Sequence, residues 1–391
     1  MMSEEDFLHF VLEHESDDTG RLLLSADRWP DVDVRRAVRI IEGRRKMRDK
    51  APSWYACPAV DYPDGLSLEQ CSSEETARYK QAFVPAGGRV ADLTGGLGVD
   101  CLALSRPAAE MHYCERDAAR CAAARHNFAA LGAADIAVHE GDGVAWLQAQ
   151  ETPFDLIYLD PARRDKTAGR VYDIAGCEPN LLEIKDLLLQ HAPRVLAKLS
   201  PMADISRTLA QLPETRELHI VAAAGEVKEL LVLLEAKRAE APSSPRIVAA
   251  DGSGRFAFSP AEEAAAGVRY ADRVGRFLLQ PSKALRKAGA FRLLSARCGI
   301  AKLAPSTHLY TADTPVDGFS GRTFAVEAVL PWGSAARQEL RRRFDRMELT
   351  ALNFPMTTDA LRRRLGIAEG GSHHVFATTL NNEKILIICK I

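Results

Sequence analysis

The stretch Arg89-Val-Ala-Asp-Leu-Thr-Gly-Gly-Leu-Gly-Val-Asp100 decides the fold. Val90, Ala91 and Leu93 form a short apolar run, which predicts a buried strand. Thr94 with Gly95, Gly96 and Gly98 predicts a tight loop, and Val99 opens a helical pattern. Where Cβ atoms are missing, backbone N–H groups can approach a ligand closely, and a helix start favours negative charge. Asp92 closes the strand, where it can accept hydrogen bonds or meet a cation. The dinucleotide pattern Gly-x-Gly-x-x-Gly fits poorly, because Cys101 stands where its third glycine packs helix on strand.

Downstream, apolar runs and helical patterns alternate to about residue 236. Strands are expected at 89–93, 110–114, 135–138, 154–159 and 193–198, and helices starting near 99, 117, 143 and 180. That alternation predicts a mostly parallel sheet covered on both faces. Residues 219–235 hold two apolar runs around a glycine, which predicts a β-hairpin. Loops that follow parallel strands gather on one sheet edge. Asp92, Glu115, Asp142 and Asp160 each follow or close a strand, so the topology should bring them together.

The spacing Asp92-x-x-x-Gly96-x-Gly98 resembles the first motif of class I S-adenosylmethionine-dependent methyltransferases. The resemblance implies a Rossmann-like, seven-stranded α/β sheet that closes with an antiparallel hairpin. It implies that Asp92, Thr94, Gly95, Gly96 and Gly98 hold S-adenosylmethionine. Glu115, 23 residues after Asp92, would hold the ribose hydroxyls. Asp142 would meet the adenine amino group, although an N-cap role fits it equally well. Phe154-Asp-Leu-Ile-Tyr-Leu-Asp-Pro-Ala-Arg-Arg164 is similar to the (Asp/Asn)-Pro-Pro-aromatic motif of enzymes that methylate ring or exocyclic nitrogens. There Asp160 and the carbonyl that follows, at Pro161, would accept hydrogen bonds from the target nitrogen. Ala162 and Arg163 replace the second proline and the aromatic, leaving Arg163 or Arg164 to stack or touch phosphate. A cysteine-nucleophile route would fall to Cys177, whose loop offers no activating base.

Upstream, Ser72 and Glu75 have capping-box spacing for a helix that continues to Lys80. This segment is similar to one that precedes the first motif in relatives of the cap trimethylguanosine synthase. The similarity implies that Glu74, Thr76 and Lys80 contact cofactor or substrate; the plain alternative is a capped helix.

With 391 residues, more than one domain is expected. No apolar run reaches the length of about 18 residues that a membrane span needs. The acidic start, Met1 to Asp6, has no secretory pattern. Eight cysteines without a Cys-x-x-Cys pair suggest reduced thiols in a cytoplasmic protein, with no zinc or other metal. Charge is unevenly spread. Residues 243–391 carry 22 Lys and Arg against 13 Asp and Glu, whereas residues 1–242 carry 29 against 40. The basic C-terminal part suits a polyanion.

The expected organisation is a helical region at 1–70, a methyltransferase domain at 71–240 and a linker at 241–245. A ferredoxin-like α+β subdomain at 246–315 and a THUMP-like α+β domain at 316–391 would follow. Short helices are expected over 3–50, interrupted beyond by Pro52, Pro58 and Pro63. The last part should read strand 323–330, helix 335–344, strand 348–354, helix 358–365 and strands 374–380 and 384–389. Gln280 to Phe291, Leu309 to Asp313 and Phe319 to Phe324 resemble a THUMP-like domain attached to bacterial methyltransferases. By analogy with THUMP domains, which bind structured tRNA, this implies RNA as partner. Lys283, Arg286 and Lys287, near Arg292, are the expected RNA contacts. Arg341 to Arg346 and Arg362 to Arg364 sit at expected helix ends, where cations complement the dipole anyway. The sequence therefore points to methylation of an RNA base nitrogen, in tRNA or rRNA. Methylation of a small molecule or protein side chain is the enzymatic alternative. A non-catalytic RNA-binding protein with a relic pocket is the other.

Overall fold

The computed structural model describes residues 2–163, 174–236 and 244–391. It comprises two compact units, Met1–Arg216 with Lys228–Ala241, and Glu217–Val227 with Pro242–Ile391.

The first unit opens with helices α1 (Glu4–Glu13), α2 (Thr19–Leu24), α3 (Val34–Lys50), α4 (Pro52–Ala56), α5 (Gly65–Gln70) and α6 (Glu74–Lys80). The basic run after Ile41 forms the last turns of α3. The helix continues to Lys50 because Arg44 is buried against Glu15 at 2.9 Å and Arg45 bonds the Glu15 carbonyl. Pro52 starts a helix rather than breaking one, since a proline at the first position gives up no needed N–H. Ser73, not Ser72, caps α6 by accepting from the Thr76 amide. Ser72 is buried and spends its hydroxyl on Asp100 at 2.8 Å.

The α/β layer follows as β1 (Arg89–Asp92), α7 (Val99–Ser105), β2 (Glu110–Glu115), α8 (Ala118–Ala130), β3 (Ala137–Glu140), α9 (Gly143–Gln148) and β4 (Leu156–Leu159). The two-residue strands β5 (Ala162–Arg163) and β6 (Cys177–Glu178) pair antiparallel. Then come α10 (Leu181–His191), β7 (Arg194–Leu199), α11 (Ile205–Gln211), β8 (Thr215–Ala223) and β9 (Glu226–Glu235). Within this unit the strand order is β9-β7-β4-β1-β2-β3. All neighbours are parallel except β7 and β9. β4 is buried at every residue, as a central parallel strand must be. Burying each of its leucines and its isoleucine contributes about 1.5–3 kcal/mol. Between β8 and β9, Ala224 and Gly225 both take positive φ, 50° and 72°, the backbone of a type I′ turn.

In the second unit β10 (Arg246–Asp251) pairs in parallel with β8 and antiparallel with β11 (Gly254–Phe258). The remaining elements are α12 (Pro260–Ala265), β12 (Phe277–Pro281), α13 (Lys283–Ala288), α14 (Phe291–Cys298), β13 (Ala301–Ala304), β14 (Thr307–Ala312) and β15 (Gly321–Pro331). They end with α15 (Ser334–Arg343), β16 (Glu348–Ala351), α16 (Thr358–Leu365), β17 (His373–Leu380) and β18 (Glu383–Lys390). One sheet, ordered β13-β14-β12-β15-β18-β17-β16, runs through the whole series. Two apolar clusters fill it, one around Phe324 and Phe376, the other around Leu340 and Leu361.

Candidate active site

The loop between β1 and α7 works only with glycine. At Gly95 a Cβ would stand inside the Tyr113 ring, and at Gly98, with φ +90°, it would lie 2.8 Å from Phe128. Gly96 has φ +56°, so its backbone also belongs to the left-handed region. The Tyr113 hydroxyl supports the loop from below by donating to the Gly96 carbonyl at 2.5 Å. A cavity of about 300 Å³ opens above. Asp92, Thr94, Gly95, Gly96, Gly98, Glu115, Asp142 and Asp160 all line it, as the strand-edge argument requires.

Each carboxylate has a defined partner. Asp92 is fully buried and accepts from the Thr94 amide at 3.0 Å. Burial pushes its carboxyl up to about 8. Glu115 takes one N–H on each oxygen, Gly96 on one and Asp117 on the other, both at 2.9 Å. Further lone pairs on both oxygens remain for hydroxyl donors. Asp142 is the N-cap of α9, accepting from Ala145 at 2.8 Å, and its second oxygen pairs with Arg116. Burial would raise the Asp142 carboxyl, but the Ala145 amide and Arg116 hold it below the usual range. Arg116 also reaches Glu178 at 2.7 Å.

Asp160 follows β4 and is held twice. Its amide donates to the Thr94 hydroxyl at 2.6 Å, and its carboxylate accepts from Lys198 at 2.6 Å. Pro161 beside it is buried. The side chain of Arg163, together with Arg164, lies outside the described residues.

Thr76 does not reach the cavity. It is buried on α6, with its hydroxyl on the Ser73 carbonyl at 3.1 Å. Gln70, Cys71 and Ser72 line the cavity instead. Glu74 bonds the Ser53 amide and Arg78. Lys80 is fully buried and pairs with Asp100 at 3.0 Å and Glu229 at 2.7 Å. Lys283, Arg286 and Lys287 lie on α13 of the second unit. Among the described residues no group of three His, Cys, Asp or Glu is placed to hold a metal ion, and no helix is long and apolar enough to cross a membrane.

Three family profiles match: Conserved hypothetical protein 95 over residues 80–175, a ferredoxin-like domain over 277–319 and a THUMP domain-like profile over 321–390. A crystal structure from Porphyromonas gingivalis W83, provisionally described as a methyltransferase, is 35% identical with a TM-score of 0.89, covering 100% of this chain and 99% of that one. The chain belongs to the class I S-adenosylmethionine-dependent methyltransferases with a THUMP-like C-terminal domain. An uncharacterized S-adenosylmethionine-dependent methyltransferase of Mycobacterium tuberculosis, in both of two strains, is 27% identical over 316 residues, covering 79% of this chain and 83% of that protein.

For this methyltransferase, sequence reasoning missed the polar layer under the crevice. Asp100 accepts from Ser72, from Tyr158 at 2.7 Å and from Lys80, and it lies 3.9 Å from Lys198. Burial would raise the Asp100 carboxyl, yet the ammonium groups of Lys80 and Lys198 bring it down to about 2. A signal was present. Lys198 stands in the apolar run of β7 and Glu229 beside that of β9, and a charge buried in a central strand needs a partner.

Proposed function

We propose that this methyltransferase transfers a methyl group from S-adenosylmethionine to a base nitrogen of a cytoplasmic RNA, tRNA or rRNA. The observation that carries the reading is Asp160, which lines the glycine crevice and is held by Thr94 and Lys198. The crevice fits the cofactor in kind. Its loop offers backbone N–H groups where a Cβ would clash, and its rim offers carboxylates to hydroxyl and cationic groups. Asp92, Thr94, Gly95, Gly96 and Gly98 hold the cofactor. Glu115 takes the ribose hydroxyls, and Asp142, steadied by its capping bond, faces the adenine.

When bound, the cofactor supplies a sulfonium methyl group: the acceptor nitrogen bonds to its carbon as the carbon–sulfur bond breaks and leaves its electron pair on sulfur. The protein's part is alignment in a restricted site. Asp160 accepts N–H from the acceptor, which turns the nitrogen lone pair toward the methyl carbon. It also stands where the surplus proton leaves.

Support for RNA comes from the second unit. Lys283 and Arg292 are exposed, and Arg286 keeps a buried Nε without a hydrogen-bond partner among the described residues. His308 stacks on Phe291 at 3.5 Å, with Lys302 5.4 Å from the same ring. Lys302 is buried with its ammonium on the Pro305 carbonyl at 2.6 Å, so the exposed Lys283 and Arg292 are the cations that suit phosphate. The arginine runs differ. Arg341 bonds the last carbonyls of α16, at 2.7 and 2.9 Å, and Arg342 and Arg343 pair with Glu339 and Glu327. Arg341 therefore serves the fold.

Incubation with methyl-tritiated S-adenosylmethionine and total RNA from a strain lacking the gene tests the reading. Label in one RNA species, recovered as an N-methylated nucleoside, is the expected result. Label confined to protein or small molecules would refute it.

A further inference from the structure

We infer that Lys198 is a positioning residue of the transfer reaction, aiming the Asp160 carboxylate at the acceptor nitrogen from behind. The inference rests on the reading of Asp160 given above and extends it to a residue with no assigned role.

Lys198 lies on β7, the strand beside β4, one pleat from the end. Its side chain is mostly buried, about 12% exposed, and does not line the cavity, whereas Asp160 does. Its hydrogen-bonded contact with the cavity lining is Asp160. Its Nζ donates to Oδ2 of Asp160 at 2.6 Å, a length typical of strong charge-assisted bonds. On its far side the Asp100 carboxylate lies 3.9 Å away. Asp100 is itself fixed by Ser72, Tyr158 and Lys80. The ammonium is thus seated in a built socket rather than resting on a surface. Burial alone would drive the proton off Lys198, but the carboxylates of Asp160 and Asp100 hold its pKa above the usual lysine value.

The consequence is geometric. With one Asp160 oxygen bound to Lys198 and the amide bound to Thr94, rotation of the carboxyl group is restricted. Its other oxygen is then presented to the acceptor in one direction. A lysine contributes an additional property, a charged donor, which holds that oxygen more firmly than a neutral hydrogen-bond partner would.

The test compares Lys198→Met, Lys198→Arg and Asp160→Ala in the full chain. Transfer of tritiated methyl to total RNA, cofactor affinity by calorimetry and thermal unfolding are measured for each. Lys198→Met should bind S-adenosylmethionine within about threefold of wild type while kcat falls roughly 100-fold, the scale of a positioned proton-transfer group. Lys198→Arg, which keeps the charge and the donor, should recover most of the loss. Should Lys198→Met fail to fold because Asp100 and Asp160 are left unpaired, Lys198→Met with Asp100→Asn is read by the same criteria. Turnover near wild type in the methionine variants, with Asp160→Ala inactive, would overturn the role of Lys198 and leave the reading of Asp160 standing. Full turnover in Asp160→Ala would instead remove the reading beneath it.

Discussion

Thr94 and Asp160 are joined by a 2.6 Å hydrogen bond in which the Asp160 amide donates to the threonine hydroxyl. One residue belongs to the glycine loop after β1, the other to the turn after β4. The bond sets the distance between the crevice that holds the methyl donor and the group that orients the acceptor. Thr94→Val keeps the shape but strands the amide. It should cost about 1–3 kcal/mol if the N–H stays dry and should reduce kcat more than cofactor affinity. Thr94→Ser should restore both. Chemical denaturation and label transfer report the two effects.

Gly95→Ala should damage the site more than its single methyl suggests. The added Cβ meets the Tyr113 ring, which is buried and cannot retreat. Overpacking of that kind costs about 1–3 kcal/mol. Calorimetry with S-adenosylmethionine should show affinity lost by at least about tenfold, the equivalent of 1.4 kcal/mol. Gly65→Ala, where a Cβ meets nothing within 4 Å, should leave both stability and affinity nearly unchanged.

Lys80 is expected to be structural. It carries a fully buried ammonium against Asp100 and Glu229, and Lys80→Met would leave both carboxylates without it. Breaking a buried pair from one side typically costs about 3–5 kcal/mol. Lys80→Met combined with Glu229→Leu should be markedly more stable than Lys80→Met alone. Equal unfolding midpoints for the single and double variants would contradict the pairing.

Asp92 gives a pH dependence with a definite sign. Its carboxyl is raised from about 3.8 unfolded to about 8 folded by burial. The native state therefore holds a proton that the unfolded state releases first. That contribution to stability is complete below pH 4 and is lost as pH rises toward 8. Binding of a cationic cofactor beside Asp92 should expel the proton. Calorimetry at pH 7 in buffers of different ionisation enthalpy should show proton release on binding by wild type, and none by Asp92→Asn.

RNA affinity should fall steeply with salt, as counterion release requires. Charge reversal at Lys283 or Arg286 should weaken binding for all sequences alike and reduce the salt slope by about 1 per lost phosphate contact. Filter binding across a salt series reads both. A flat response would favour a small-molecule acceptor.

Much of this was legible from residues 89 to 236. Strand and helix periods there are regular, and the loop glycines punctuate them, so Asp92, Glu115, Asp142 and Asp160 were expected on one edge and line one cavity. The N-terminal helices were harder to read. Pro52 looks like a breaker in sequence and starts α4 in the fold, and Ser72 looks like a cap until Asp100 claims its hydroxyl. The layer of Lys80, Asp100, Lys198 and Glu229 was hidden for a physical reason. Its members are up to 149 residues apart, as for Lys80 and Glu229, and nothing local in a sequence records a pairing made by strand order.

The central claim is that the glycine crevice binds S-adenosylmethionine independently of Asp160. Calorimetric titration of wild type, Gly96→Val and Asp160→Ala with the cofactor tests it most directly. Wild type and Asp160→Ala should bind with similar affinity, and Gly96→Val should not bind. Absence of binding by the folded wild-type protein, or wild-type affinity in Gly96→Val, would contradict it.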